Sequence, residues 1–289
     1  MTLTRRLFLG AGSALALRTN LWPAGFAIPP GPRIGVTDWN LRLTGKVEAV
    51  AQAAGLGFQG VEVSLGRQPR DNKLPLADAE LQARYLEAAG KHKIAIAGAC
   101  LDILHVNYLK NDKLGQKWVA DGIPITKKLD GRVMLLPFFG KGALKTRDEM
   151  DYVGDALKEL AGEAEKAQVI LGLENTISAE DNARILERAS SSAVKVYYDV
   201  GNSTNAGFDI LKEIRWLGRD RICQMHLKDG DKFLGEGRID FPAAVKAILE
   251  IGFKGFANLE TSCPSGSVED DMKRNLSYIR ALIGGARKS

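Results

Sequence analysis

Val169-Ile170-Leu171-Gly172-Leu173-Glu174 is a short apolar run that ends in an acid, passes through the loop residues Asn175-Thr176, and gives way to a helix-like stretch over 179–188. Three later runs repeat the pattern: Val194-Lys195-Val196-Tyr197-Tyr198-Asp199, Ile222-Cys223-Gln224-Met225-His226 and Phe256-Ala257-Asn258-Leu259-Glu260. Each reads as a buried strand, and each is followed by a helical pattern. Working outward, the first half carries the same alternation. Apolar strands are predicted at 34–37, 60–64, 94–97 and 133–136, with helices over 46–54, 77–91, 116–128 and 148–168. The later helices fall at 209–217, 241–251 and 268–283.

Eight strand–helix pairs in roughly 250 residues, without a composition shift, imply one domain with a parallel sheet. That count at that length fits an α/β fold of the closed (β/α)8 TIM barrel type. The rival is an open doubly wound sheet, which carries a glycine-rich loop after its first strand. Here that position holds Thr37-Asp38-Trp39-Asn40, and the chain has neither a GxGxxG nor a GKS/T loop. In a barrel, the carboxyl ends of the strands form the active-site face, which is where Glu174, Asp199, His226 and Glu260 fall.

The chain divides into an export segment at 1–27, a Pro-rich linker at 28–32, the barrel at 33–284 and a tail at 285–289. Thr4-Arg5-Arg6-Leu7-Phe8-Leu9 resembles a twin-arginine export signal, and the apolar run behind it is too short to span a membrane. A disordered basic tail is the alternative. Export predicts a soluble periplasmic protein with no membrane partner after processing. The formal charge of +5 includes Arg5, Arg6 and Arg18. Cutting after Ala27 leaves 37 basic against 35 acidic residues, or +2. So balanced a body gives no electrostatic reason for a nucleic-acid partner. Three cysteines cannot make a complete disulfide set and are read as free, with Cys263 positioned to face the site. A homo-oligomer is left open.

Three carboxylates and an imidazole at one level of adjacent strands suit a single divalent cation, with Mn2+, Mg2+ or Co2+ more natural than Zn2+. Taken singly, each has a plainer reading. Asp199 and Glu174 can cap the helices that follow them, and a lone histidine is more often a hydrogen-bonded core residue. A cation chelated by the carbonyl and adjacent hydroxyl of a sugar stabilises the enediolate left by C–H deprotonation. Glu174 and Glu260 are the natural acid–base pair on opposite sides of that carbon.

Gly57-Phe58-Gln59-Gly60-Val61-Glu62-Val63, Leu173-Glu174-Asn175, Tyr198-Asp199-Val200-Gly201-Asn202, Met225-His226-Leu227-Lys228-Asp229, Leu234-Gly235-Glu236-Gly237 and Leu259-Glu260-Thr261 together resemble the xylose-isomerase-like barrel family. This family includes sugar isomerases, tagatose and psicose epimerases, inosose dehydratase and type IV apurinic endonucleases. The resemblance implies metal binding by Glu174, Asp199, His226 and Glu260, with both glutamates catalytic. It also implies a sugar or glycoside substrate. Two departures stand out. The epimerases place a substrate-contacting His where this chain has Asn202, and an Arg where it has Lys232; Asn202 and Lys232 are expected to contact substrate from those positions. The endonuclease branch needs further histidines, and this chain has only His92, His105 and His226.

Strand alternation puts Lys228 on the face of His226, as an oxyanion stabiliser or a salt-bridge partner. Glu62 is expected at the same rim, within reach of sugar hydroxyls, and His105 past the third strand is within reach of the site. Trp39, Phe138 and Phe139 form either an apolar wall or core packing, while Lys141 and Lys145 are solvated loop charges. The leading expectation is an isomerase or epimerase of keto sugars. A lyase on 3-keto-glycosides or keto-inositols comes next, ahead of an endonuclease-like enzyme or a non-catalytic carbohydrate-binding barrel.

Overall fold

The computed structural model describes residues 31–285. The export segment read at 1–27, most of the linker and residues 286–289 lie outside the described residues. Eight strands run in chain order: β1 (Arg33–Thr37), β2 (Gly60–Ser64), β3 (Ala95–Cys100), β4 (Val133–Pro137), β5 (Ile170–Glu174), β6 (Val194–Asp199), β7 (Ile222–Leu227) and β8 (Phe256–Leu259). Every neighbouring pair is parallel, and β1 pairs with β8 to close the barrel. The sequence expectation of a (β/α)8 barrel therefore holds. Strands buried on both faces explain the unbroken apolar runs: every residue of β2 and of β4 is buried.

Capping side chains set where the chain leaves each loop. Thr146 forms a capping box with Glu149 at the start of the helix Arg147–Ala167. Asp78, Asp112, Ser178, Asp209 and Asp240 accept from first-turn N–H groups of other helices. The helix Ile210–Arg221 is interrupted at Gly218, whose φ of 64° and ψ of 175° are not helical, so its regular part ends at Leu217 as the sequence suggests. A six-residue helix, Val200–Asn205, follows β6 directly. Its polar sequence, Val200-Gly201-Asn202-Ser203-Thr204-Asn205, shows no apolar period that would announce it.

Register fixes the height of the site. Asp199 on β6 lies opposite His226 on β7, and the Glu260 N–H donates to the Leu227 carbonyl at 3.1 Å. Consecutive strands thus deliver their terminal polar residues at one level. Gly60 shows how closely the barrel packs at its other end, since a Cβ there would meet the Phe256 ring at 2.5 Å.

Candidate metal centre

Glu174 and Asp199 are the last residues of β5 and β6, His226 is the penultimate residue of β7, and Glu260 follows β8 immediately. Their ligand atoms all lie within 4.8 Å of one another. His226 Nδ1 is 3.0 Å from Glu174 Oε1, 3.5 Å from Glu260 Oε2 and 3.7 Å from Asp199 Oδ2. One nitrogen thus faces three carboxylates. Asp199 performs two tasks: Oδ1 accepts from the Asn202 N–H at 2.8 Å and caps the helix Val200–Asn205, while Oδ2 turns to the site. The capping reading of Asp199 holds, and its second oxygen is left facing the cluster.

So much negative charge in a buried place calls for a cation. Among the described residues Lys228 supplies one, its Nζ lying 2.8 Å from Asp199 Oδ2 and 2.5 Å from Glu260 Oε2. Burial acts against the ammonium, but Asp199, Glu260 and Glu174 outweigh it and hold its pKa far above the usual lysine range. Burial likewise lowers the His226 imidazole, yet Glu260 and Glu174 lift it well above the ordinary histidine value. Glu260 goes the other way. Burial would raise it, but His226 and Lys228 bring it down to about 2. Such a cluster fits a hard divalent ion, because all its donors are carboxylate oxygens or imidazole nitrogen. Lys228 reaches it because Gly201 has no side chain, as a Cβ there would stand 2.5 Å from Lys228 Cγ.

Above the cluster opens a cavity of about 340 Å3. Trp39, Asn202 and Lys228 line it beside the acids. The Trp39 indole N–H donates to Glu260 Oε1 at 2.9 Å, and the Asn202 amide donates to Glu174 Oε1 at 3.2 Å. The opposite wall holds His105, stacked on Phe139 with ring centroids 6.3 Å apart, together with Arg67 and Asp102. Ser64 Oγ donates to Asp102 Oδ2 at 2.6 Å. Burial raises the Asp102 carboxyl and lowers the His105 imidazole.

Several expected positions need correction. Glu62 is wholly buried beneath His226, at 0% exposure, so it cannot meet a sugar at the rim. Lys232 is exposed, pairs with Asp231 at 3.6 Å and does not line the cavity. Phe138 belongs to the core, and only Phe139 reaches the cavity. Cys263 is half-buried against the core rather than facing the site, and all three cysteines are free. Lys141 and Lys145 are exposed loop charges, as expected. Arg67 and Asp102 went unanticipated, because Arg67 sits in the loop after β2 and Asp102 opens a single 3-10 turn after β3, where no periodicity constrains a reading.

The sequence model of one family, described as xylose isomerase-like TIM barrel, matches residues 50–282. The chain belongs to that family. Among solved structures of this fold, L-ribulose 3-epimerase superposes with a TM-score of 0.71 at 18% identity, over 89% of this chain and 96% of its own. D-Psicose 3-epimerase, solved in the presence of D-fructose, gives 0.72 at 15% identity, over 88% and 100%. The 3-keto-D-glucoside 4-epimerase of E. coli gives 0.68 at 15% identity, over 86% and 99%. No curated protein matches the sequence. At such identities the likeness carries the fold. What distinguishes this member of the xylose isomerase-like family must be read from its own cavity.

The support of Trp39 suggests a pH test. The preceding residue, Asp38, is fully buried and accepts from the N–H groups of Gly45 at 2.8 Å and Ser64 at 3.0 Å. Burial nevertheless raises its carboxyl to about 7, whereas an unfolded aspartate titrates near about 3.9. Between those values the folded chain keeps a proton that the unfolded chain has lost. Stability from this group therefore falls as pH rises from about 4 to about 7, and is level above. Asp38→Asn carries no such titration. Urea unfolding at pH 5 and pH 8 should show a smaller difference in the variant than in the parent, and an equal difference would refute the assignment.

Proposed function

We propose that this protein is a metal-dependent isomerase or epimerase of keto sugars, acting by proton abstraction next to a carbonyl. The observation that carries the reading is the convergence of Glu174, Asp199, His226 and Glu260 on one point at the floor of a sugar-sized cavity. A divalent ion held by those four residues would supply Lewis acidity to a carbonyl and its neighbouring hydroxyl. Glu174 and Glu260, from β5 and β8, flank the space where the substrate carbon would sit. One carboxylate takes the proton from carbon, and the C–H electron pair moves toward the carbonyl oxygen. The other returns a proton from the opposite side. Trp39 and Lys228 hold the two oxygens of Glu260, so its approach to substrate is fixed before binding. The related structures named for ribulose, psicose and 3-keto-glucoside epimerisation fit ketone-bearing substrates.

The second reading is a lyase on 3-keto-glycosides or keto-inositols. It is favoured by Asn202, which stands where the epimerases carry a substrate-contacting His, and by Lys232, which lies outside the cavity. The same deprotonation then ends in loss of a β-substituent. The twin-arginine-like Arg5-Arg6 segment supports a periplasmic setting, where neutral sugars and glycosides are more available than sugar phosphates.

One experiment addresses both. Metal-loaded protein is incubated in D2O with a panel of ketoses and 3-keto-glycosides, and deuterium incorporation and products are followed by NMR. Exchange next to the carbonyl supports the mechanism, and the product separates epimerase from lyase. Metal-loaded protein that exchanges none of them would overturn the reading.

A further inference from the structure

Behind His226 the barrel interior is polar, where barrels of this class are commonly filled by Val, Ile and Leu. Glu62 on β2, Tyr197 on β6, Gln224 on β7 and Asn258 on β8 are all buried there. Glu62 Oε2 accepts from the Tyr197 hydroxyl at 2.7 Å and the Asn258 amide at 3.1 Å, and lies 3.0 Å from His226 Nε2. The Asn258 amide also lies 2.7 Å from the Tyr197 oxygen and 3.2 Å from Gln224 Oε1. Gln224 in turn donates to the Ala97 carbonyl at 2.5 Å. The network runs from the metal-facing histidine down into the barrel.

A carboxylate taken wholly out of water is costly unless something compensates it. Glu62 Oε1 makes no hydrogen bond at all. Of the three groups that bond Oε2, tyrosine and asparagine are neutral, and only the imidazole can carry positive charge. The arrangement is directional, because the two ring nitrogens of His226 face opposite ways. Nδ1 looks at Glu174, Asp199 and Glu260, and Nε2 looks at Glu62. A carboxylate on the Nε2 side can only accept, so when an ion takes the place of the Nδ1 hydrogen the remaining one is held on Nε2 and the Nδ1 lone pair is left for the site.

We infer that Glu62 is the positioning residue for His226, fixing its tautomer and ring orientation so that Nδ1 is presented as a metal ligand. This rests on the metal reading above and extends it to a residue that touches neither metal nor substrate. The charge matters as well as the shape: a carboxylate behind the ring raises its donor strength, which a neutral amide does not.

Glu62→Gln keeps the volume and removes the charge. Mn2+ affinity, measured by isothermal titration and by the EPR signal of free Mn2+, should fall by about 10- to 100-fold, while the melting temperature of the metal-free protein changes little. Tyr197→Phe leaves the Glu62–His226 pair intact and should bind Mn2+ within a few-fold of the parent. A folded Glu62→Gln protein with unchanged Mn2+ affinity would overturn the inference. If that variant does not fold, the parent itself decides. 15N-histidine NMR of the Mg2+-loaded protein, assigned with variants at His92 and His105, should show His226 protonated on Nε2; hydrogen on Nδ1 overturns the inference. A parent protein that binds no Mn2+ removes the metal reading and this one together. Normal binding by both the parent and Glu62→Gln removes only the role of Glu62.

Discussion

Glu174→Gln is expected to slow solvent-deuterium exchange into substrate by about 100- to 10,000-fold at saturating Mn2+, the range spanned by loss of a general acid or base. Sugar binding should persist, because Asn202, Lys228 and the far wall of the cavity are untouched. The substitution conserves volume, and the glutamine oxygen can still accept the Asn202 amide that now reaches Glu174 Oε1. It also removes one of the three carboxylates that face His226 Nδ1. Relief of repulsion from Asp199 and Glu260 is set against loss of its attraction to His226 and Lys228, so the metal-free variant should melt close to its parent. Lost turnover with retained stability is hard to obtain by general damage. Calorimetry on the metal-free proteins, with exchange kinetics on the loaded ones, tests both halves. Undiminished exchange removes Glu174 from the chemistry.

Stripping the metal is the second large effect. Chelated protein should show no measurable exchange, and adding back Mn2+ should restore it. The same addition should stabilise the fold in proportion to occupancy. At one hundred times the dissociation constant, binding contributes about 2.7 kcal/mol, or roughly 5–10 °C in melting temperature for a domain of this size. Differential scanning fluorimetry across a Mn2+ series reads the shift. The Glu260→Gln variant should show a reduced shift, because Glu260 is one of the four proposed ligands and also anchors Lys228 and Trp39. A melting temperature indifferent to Mn2+, in a protein whose exchange survives chelation, would show that the acids serve another purpose.

The four converging residues were legible because each ends an apolar run, and a barrel brings strand ends to one face. Lys228 was legible through alternation from His226, although β7 stops at Leu227. Alternation gives a face and not a depth, which is why Glu62 was misplaced. It points into the barrel as expected, but as the third residue of a five-residue strand, below the rim. Lys232 failed for a different reason. Asp229 accepts four backbone N–H groups, from Gly235, Gly237, Arg238 and Ile239. The loop is thereby wound around that carboxylate, and Lys232 is left in solvent. An offset counted from His226 cannot reveal such winding. Arg67 and Asp102 illustrate the general case, since loop side chains are placed by contacts that no local pattern encodes.

The divided role of Asp199 bears on coordination number. With Oδ1 hydrogen-bonded at the start of the helix Val200–Asn205, this residue would present Oδ2 first to an ion. Glu174, Asp199, His226 and Glu260 would each offer a donor atom to a divalent ion, with the cavity above them open to substrate oxygens. Calcium, which prefers six to eight oxygens and bidentate carboxylates, would gain less from a cradle that includes an imidazole and an aspartate shared with a helix start, and should compete poorly with smaller ions.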